Sequence, residues 1–338
     1  MANFDVSNLL NAQQILDKKY ASVEQRMKPA PAFELLTSNQ TFIQGLEQLK
    51  TRDDRPTTLY YIKRTKRGAG SSRTHNHTGT IDDTAAVTPT WTTKSDVFAI
   101  SLKLLNKNVF DFNTVLANKF EQAAMNILED KETEAIAYLR AQRATQQPTL
   151  KGGSFSTPNT AVEINADKAT TFFQRLKSIM RQNYFSGMAD VIVDSNMNLA
   201  AEFLMAQGSA NAQNTMFQFP GLRIVESVEL DDTNYPQGIA LGFPQGQVCA
   251  MNWIPKENRQ GVGDYNSYVG GFGTFNFMGY TFAVHGYAQR ADTSSANGDT
   301  QDMGMEFEVS LDTSFNKAPI SYTTNRTDSV IIEFAQTT

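Results

Sequence analysis

From about Asp111 to Ala144 apolar residues recur at steps of three and four: Val115, Leu116, Phe120, Ala123, Ala124, Ile127 and Leu128, then Ala135, Ile136 and Leu139 beyond Lys131. That period predicts an amphipathic helix. Asp111 or Asn113 can cap its start, no Gly or Pro interrupts it, and Gln147-Pro148 followed by Gly152-Gly153 closes it. At about 1.5 Å per residue, about thirty residues make a rod about 45 Å long, longer than the helices of most compact domains. The polar face carries Glu121, Glu129, Asp130, Glu132, Glu134, Arg140 and Arg143, which predicts a helix half buried and half wet. Taken alone, the stripe fits an ordinary long helix in a mixed domain equally well.

Ahead of this helix lie two weaker helical patterns, Val6 to Arg26 and Thr41 to Lys50, broken by Pro29-Ala30-Pro31. This segment is too short for its own core and is expected to lie on the rest of the chain as an arm. Thr57 to Thr65 and Val97 to Leu104 are rich in β-formers. Between them runs a polar stretch with Arg67-Gly68-Ala69-Gly70-Ser71-Ser72, reaching Trp91. About thirty residues without structure would be unusual inside a compact domain, so an extended two-stranded loop is expected. A projecting hairpin leaves its edges unpaired in a monomer, which argues for a partner subunit.

Beyond the long helix the period shortens. A strand is expected at Ala161 to Ile164 and a second amphipathic helix at Ala166 to Tyr184. Then come a strand at Ala189 to Val193, a helix at Met197 to Gln207, and strands at Leu222 to Val228, Ile239 to Phe243 and Val248 to Trp253. This alternation points to a compact α/β or α+β unit. A stretch rich in Gly and aromatics, Tyr265 to Gly279, precedes paired strands at Tyr280 to Tyr287 and Met305 to Leu311, and Val330 to Phe334 ends the chain as a strand.

Composition adds little until it is read locally. The chain has 338 residues, 40% of them hydrophobic and only 19% charged, which fits a globular protein. Its net charge of −5 does not suggest a nucleic-acid binder. Yet Lys50, Arg52, Arg55, Lys63, Arg64, Lys66, Arg67 and Arg73 fall in one short segment, and Asp292, Asp299, Asp302, Glu306, Glu308 and Asp312 in another that holds no Lys or Arg. Such segments can attract their opposites on neighbouring copies, although charge runs are more often solvated faces. The single cysteine, Cys249, excludes an intrachain disulfide framework and a cysteine zinc site. No secretion signal or membrane span is recognisable, so the sequons at Asn39, Asn76 and Asn325 lack a secretory context.

The search for catalytic chemistry assigns none. Asp53-Asp54, Asp82-Asp83 and Asp231-Asp232 are adjacent carboxylates, whereas acid/base or metal chemistry needs side chains that converge. His75-Asn76-His77 lies in a Gly/Ser/Thr-rich loop with no helix to hold ligands. Neither Gly261-Val262-Gly263 nor Gly271-Phe272-Gly273 opens a helix after a strand. Cys249 sits in an apolar run, as a packed thiol does. No catalytic residue, cofactor or metal is expected. Only Lys63-Arg64-Thr65-Lys66-Arg67-Gly68, beside Tyr60 and Tyr61, supports a positive hypothesis, since cations interleaved with aromatics can bind a phosphate backbone.

The order of elements resembles the major capsid proteins of tailed double-stranded-DNA phages, the Hong Kong 97 type. Ala189-Asp190-Val191-Ile192-Val193-Asp194-Ser195 before a helix is similar to the opening of that family's axial domain. Phe219-Pro220-Gly221-Leu222-Arg223-Ile224-Val225 resembles its small loop and apolar strand, and Ile239 to Phe243 leading to Gln247 to Met251 resembles the segment where that domain turns back. Phe282 to Asp292 resembles the strand returning to the peripheral domain. The match covers nearly the whole chain in order and flavour.

The resemblance implies an α+β fold with an N-terminal arm at 1–55 and an extended loop at 56–105. A peripheral domain at 106–187 would hold the spine helix at 111–146, followed by an axial domain at 188–279 and return strands of the peripheral domain at 280–338. It implies a structural protein of the virion, made in the host bacterial cytoplasm, whose copies self-assemble as hexamers and pentamers into an icosahedral shell. Double-stranded DNA would lie against the inner face without sequence preference. Portal and decoration proteins are further implied partners, and no membrane is. No long scaffolding segment precedes the arm, so a scaffold is expected to be a separate protein or absent. In the family the loop lies over a neighbouring subunit. Lys63, Arg64, Lys66, Arg67, Arg73 and Trp91 are therefore expected at inter-subunit contacts, with Glu129, Asp130, Glu132, Glu134, Asp299 and Asp302 as acidic partners. A loop Lys, Lys63 or Lys66, would take the role of crosslinking lysine known in some relatives. Competing readings are an encapsulin-like nanocompartment shell, separated by protein rather than nucleic-acid cargo, and a DNA-binding accessory protein using the basic loop 63–73. An enzyme whose site assembles from distant residues is a third.

Overall fold

The apolar stripe folds as one uninterrupted helix, and the other elements are arranged around it. In the computed structural model the described residues are 6–19, 29–38, 58–62, 84–101, 112–146, 154–165, 171–185, 187–209, 221–254, 270–290, 303–320 and 327–337. Helices α1 (Val6–Lys19) and α2 (Pro31–Ser38) precede strands β1 (Leu59–Ile62), β2 (Thr84–Val87) and β3 (Thr92–Ser101). The spine is α3 (Phe112–Ala141), followed by β4 (Ser154–Ser156), β5 (Ala161–Asn165), α4 (Phe172–Gln182), β6 (Ala189–Val193) and α5 (Ser195–Ser209). The chain ends with β7 (Leu222–Glu226), β8 (Ile239–Pro244), β9 (Val248–Trp253), β10 (Gly270–Phe277), β11 (Tyr280–Arg290), β12 (Met303–Lys317) and β13 (Ile332–Thr337). The architecture is α+β.

Three sheets form. β10, β11, β12 and β3 make an antiparallel sheet in that order. Residues 304–313 of β12 pair with β3, while its end, from Asp312 to Lys317, pairs with β9. The aromatic rings of this sheet meet the spine: Phe120 stacks on Phe275 at 5.2 Å and stands edge-on to Phe98 at 5.4 Å and Phe307 at 5.6 Å. A second, mixed sheet has the order β4-β5-β13-β8-β6-β7, with β6 parallel to β7 and β13 parallel to β5.

Alternation along its strands divides this mixed sheet into two faces. Val162, Ile164, Val191, Val193, Ala240, Ile332 and Phe334 pack with α4 and α5 through Leu176, Ile179, Met180, Met197 and Ala201. Ala161, Ile192, Ile239, Leu241 and Ala335 turn the other way and join the main core with the spine. One side of the sheet is thus roofed by two helices and the other is continuous with the core.

β1 and β2 form a separate two-stranded ladder, Leu59 opposite Val87 and Ile62 opposite Thr84. This corrects the pairing expected from sequence. β3 leaves the loop and joins β12, and the true partner of β1 is the short Thr84–Val87 strand inside a run that is mostly polar. Long-range pairing decided between them.

The sheets also cut across the expected boundaries of 188–279. β9 and β10 belong to the antiparallel sheet, and the mixed sheet recruits β4, β5 and β13 from outside that span. The chain crosses from one sheet to the other at Gln245–Gln247, where Gln247 donates its N–H to the Pro244 carbonyl at 3.2 Å. The break at Pro29-Ala30-Pro31 is itself a helix start, because Pro31 occupies the first helical position, where a missing N–H costs nothing. The second arm helix expected at Thr41 to Lys50 lies outside the described residues.

Candidate functional site

The surfaces of interest are those where arm, ribbon and spine meet. α1 lies along the spine with Leu9, Ala12 and Leu16 buried, and Lys19 pairs with Glu121 at 2.6 Å. The side-chain amide of Gln13 bonds the Asn276 backbone both ways, at 2.8 and 2.9 Å. α1 is therefore clipped to the spine at one end and to the β10–β11 hairpin in its middle.

α2 is held differently. Its N-cap is Ala30, whose side chain cannot accept a hydrogen bond, so the N–H groups of Ala32 and Phe33 need another acceptor. Glu132 of the spine supplies it, accepting from Ala32 at 3.1 Å and from Phe33 at 2.9 Å. The hydroxyl of Ser227, just past β7, donates to the same carboxylate at 2.5 Å. Glu132 is only 2% exposed, and burial raises its carboxyl above the usual range despite these three donors. The expectation of a wholly wet polar face is corrected here. Glu132 points inward because a helix N-terminus and a hydroxyl replace its water.

The neighbouring Lys131 is fully buried. Its ammonium reaches Glu134 at 2.7 Å and the Thr92 hydroxyl at 3.2 Å, and burial lowers its pKa. Lys94 of β3 lies 3.1 Å from Asp130 and 3.6 Å from Glu134. Glu134 and Asp130 therefore already serve contacts within the chain, fastening the spine to β3.

At the far end of the spine, Arg140 pairs with Asp232, and Arg143 lies 3.2 Å from the buried Glu333 of β13. Burial lifts the Glu333 carboxyl, while Arg143 and Arg140 draw it back in part. The adjacent pair Asp231-Asp232 is tied to this helix end through the Asp231 carbonyl and the Asp232 carboxylate, both accepting from Arg140.

The base of the β1–β2 ribbon is anchored. Leu59 packs with Cys249 and Met251 of β9, and half-buried Trp91 closes the cluster, its ring 6.4 Å from that of Trp253. Burial pushes the Cys249 thiol up to about 12. Tyr60, on the opposite face of β1, is 63% exposed.

Of the residues expected at contacts between copies, Trp91 packs within the chain and Glu132 is buried within it, whereas Glu129 and Asp130 are exposed on the spine. Lys63, Arg64, Lys66, Arg67, Arg73, Asp299 and Asp302 lie outside the described residues, as does His75-Asn76-His77. The sequence reading missed Glu229, an exposed acid whose carboxylate accepts from Thr133 of the spine at 3.2 Å. No pattern around it set it apart from other surface acids. Among the described residues no cluster of three or more His, Cys, Asp or Glu side chains is placed to hold a metal ion. No described helix is long and apolar enough to cross a membrane.

No protein-family model and no curated protein matches the chain. Solved structures do. One from Mycobacterium phage Che8 is 11% identical with a TM-score of 0.49, over 92% of this chain and 93% of that one. The capsid asymmetric unit of Cyanophage Pam1 is 12% identical with a TM-score of 0.49, over 99% of both chains. The capsid of Cyanophage P-SCSP1u is 14% identical with a TM-score of 0.48, over 93% of this chain and 90% of that one. Likeness at such scores carries no argument of its own, so the functional reading rests on the geometry of the chain.

Proposed function

We propose that this chain is a major capsid protein, a structural subunit whose copies close into an icosahedral shell around packaged phage DNA. The observation that carries the reading is the β1–β2 ribbon. Among the described residues it is hydrogen-bonded to neither large sheet, yet its base is fixed by Leu59 against Cys249 and Met251. A two-stranded ribbon is marginal by itself in water and gains stability by lying on another surface. A neighbouring copy offers that surface.

The basic segment fits the same role. Lys63, Arg64, Lys66 and Arg67 follow directly after β1, and a neighbour presents exposed Glu129 and Glu229 beside its spine. Pairs of this kind give orientation and encounter rate more than raw affinity. The shell contains the DNA, and an acidic subunit is compatible with that task because tight binding is not needed. The role calls for no catalytic step.

Electron microscopy of the purified chain at low and moderate salt tests the reading. Closed shells, or regular pentamers and hexamers, are expected. Replacing Lys63, Arg64, Lys66 and Arg67 together by Ser is expected to impair assembly. Assembly that survives unchanged while DNA affinity collapses would instead make the segment a nucleic-acid site.

A further inference from the structure

Glu333 breaks the pattern of its strand. Along β13, Ile332 and Phe334 pack with α4 and α5, while Ala335 turns to the main core and the spine. Alternation puts Glu333 on the spine side as well, opposite Leu241 of β8, where an apolar residue is the ordinary occupant. Its side chain has no exposed surface, and neither carboxylate oxygen accepts a hydrogen bond from the described residues. Arg143 at 3.2 Å and Arg140 at 3.7 Å are its counter-charges. A buried carboxylate held by charge alone is a poorer choice for stability than a well-packed apolar side chain of similar volume.

The same two arginines tie this end of the spine to two further parts of the mixed sheet. Arg140 donates to the Asp231 carbonyl at 3.0 Å and to the Asp232 carboxylate, in the loop between β7 and β8. Arg143 donates to the Asn159 carbonyl at 3.1 Å and to the Thr160 hydroxyl, in the turn between β4 and β5. Thr160 sits at φ 52°, a left-handed conformation that strains a β-branched residue. One step away, the Tyr235 hydroxyl accepts from the Asn159 amide at 3.1 Å and donates to Glu163 of β5 at 2.9 Å. Just past the helix, Lys317 of β12 donates to the Gln142 carbonyl at 3.1 Å, and Asp328 accepts the Thr145 N–H at 2.9 Å.

We propose that Glu333, Arg140 and Arg143 form a proton-operated joint between the spine and the mixed sheet, closed while the carboxyl carries its proton and opening to water once it is ionised. In the closed joint an ionised carboxylate goes without hydrogen bonds, and opening supplies them from solvent. The strain at Thr160 is released by the same movement, because Arg143 holds that turn. Burial keeps the closed carboxyl above its usual 4.5, with Arg143 and Arg140 drawing it back in part and Asp232 adding to the rise. The opened group titrates near the ordinary value. Opening is therefore hardest below 4.5, grows easier as pH rises toward the closed value, and levels off above it. Asp328 is held below 3.8 and titrates outside this interval. The joint is a property of one chain and stands or falls separately from the shell.

Hydrogen exchange of the full chain from about pH 4 to about pH 8 tests it. The Ala144 N–H donates to the Ile331 carbonyl at 2.9 Å across the joint and reports its opening, and the β11–β12 ladder is the internal reference. After division by the intrinsic exchange rate, the opening constant at Ala144 is expected to climb by up to about tenfold per pH unit within the interval and then to level off. The ladder is not expected to follow, a comparison that needs no variant. Glu333→Gln, neutral at every pH, is expected to remove the climb. Exchange at Ala144 that tracks the ladder at every pH would overturn the joint, and so would a climb that survives Glu333→Gln.

Discussion

The carboxylate of Glu132 accepts the backbone N–H of Phe33 at 2.9 Å across 99 residues of sequence. With the Ala32 N–H and the Ser227 hydroxyl on the same group, one buried side chain joins arm, spine and mixed sheet. An amide offers a single acceptor oxygen, so Glu132→Gln must turn an N–H₂ group toward at least one of these donors. A loss of about 2 kcal/mol is expected, and about 1 kcal/mol for Ser227→Ala. Urea midpoints at unchanged slope check both values. A Glu132→Gln midpoint equal to wild type would mean that the carboxylate is not the cap of α2.

Glu333 and Asp328 are two of the carboxylates that make stability depend on pH, and they are shifted in opposite directions. Burial raises Glu333 above its usual 4.5 in the folded chain, so its contribution to stability is full below that value and is lost as pH rises through the folded pKa. Burial also acts upward on Asp328, but the Thr145 hydroxyl and the N–H groups of Gln146 and Thr145 outweigh it and hold the group below 3.8. Its contribution is present above that value and is lost in more acid solution. Glu333→Gln is therefore expected to flatten the decline above about pH 4.5 and leave the acid limb unchanged, in unfolding curves taken from about pH 3 to about pH 8.

Gly238 has φ 128°, and a Cβ there would stand 2.6 Å from Cγ and 2.9 Å from Sδ of Met197. Gly238→Ala combines backbone strain with a clash and is expected to cost about 2 kcal/mol or more. In a Met197→Ala background the clash with Met197 disappears, while the strain and a 3.1 Å approach to Asp194 Oδ1 stay. A double-mutant cycle should then show a smaller but nonzero cost for the alanine. Equal costs in the two backgrounds would rule out Met197 as the obstacle.

Cys249 is buried under Leu59 and Trp91, and its thiol is pushed up to about 12. It is expected to react with a thiol reagent at neutral pH only through local opening of β9, slower than an exposed cysteine by about 100-fold or more. Leu59→Ala, which uncovers it, should speed the reaction with little change elsewhere. A native rate equal to that of the unfolded chain would show that the ribbon base does not cover β9.

What the sequence determined by itself is what depends on neighbours along the chain. The stripe from Leu116 to Leu139 made the spine a helix, and the short run Ala189 to Val193, rich in β-branched residues, made a strand buried along its whole length, because helical period and β-propensity are local properties. Their order along the chain carried the resemblance as well. The tertiary structure decided the partnerships. β12 pairs with β3 along one stretch and with β9 along the next, a choice among many β-rich segments that no local pattern encodes. Glu132 looked like one more acid on a wet face because its partners are main-chain N–H groups, which every residue but proline carries and which leave no mark in a sequence. Tyr184 is equally silent: only the fold shows that the end of α4 demands a left-handed residue, and therefore that an aromatic there is out of place.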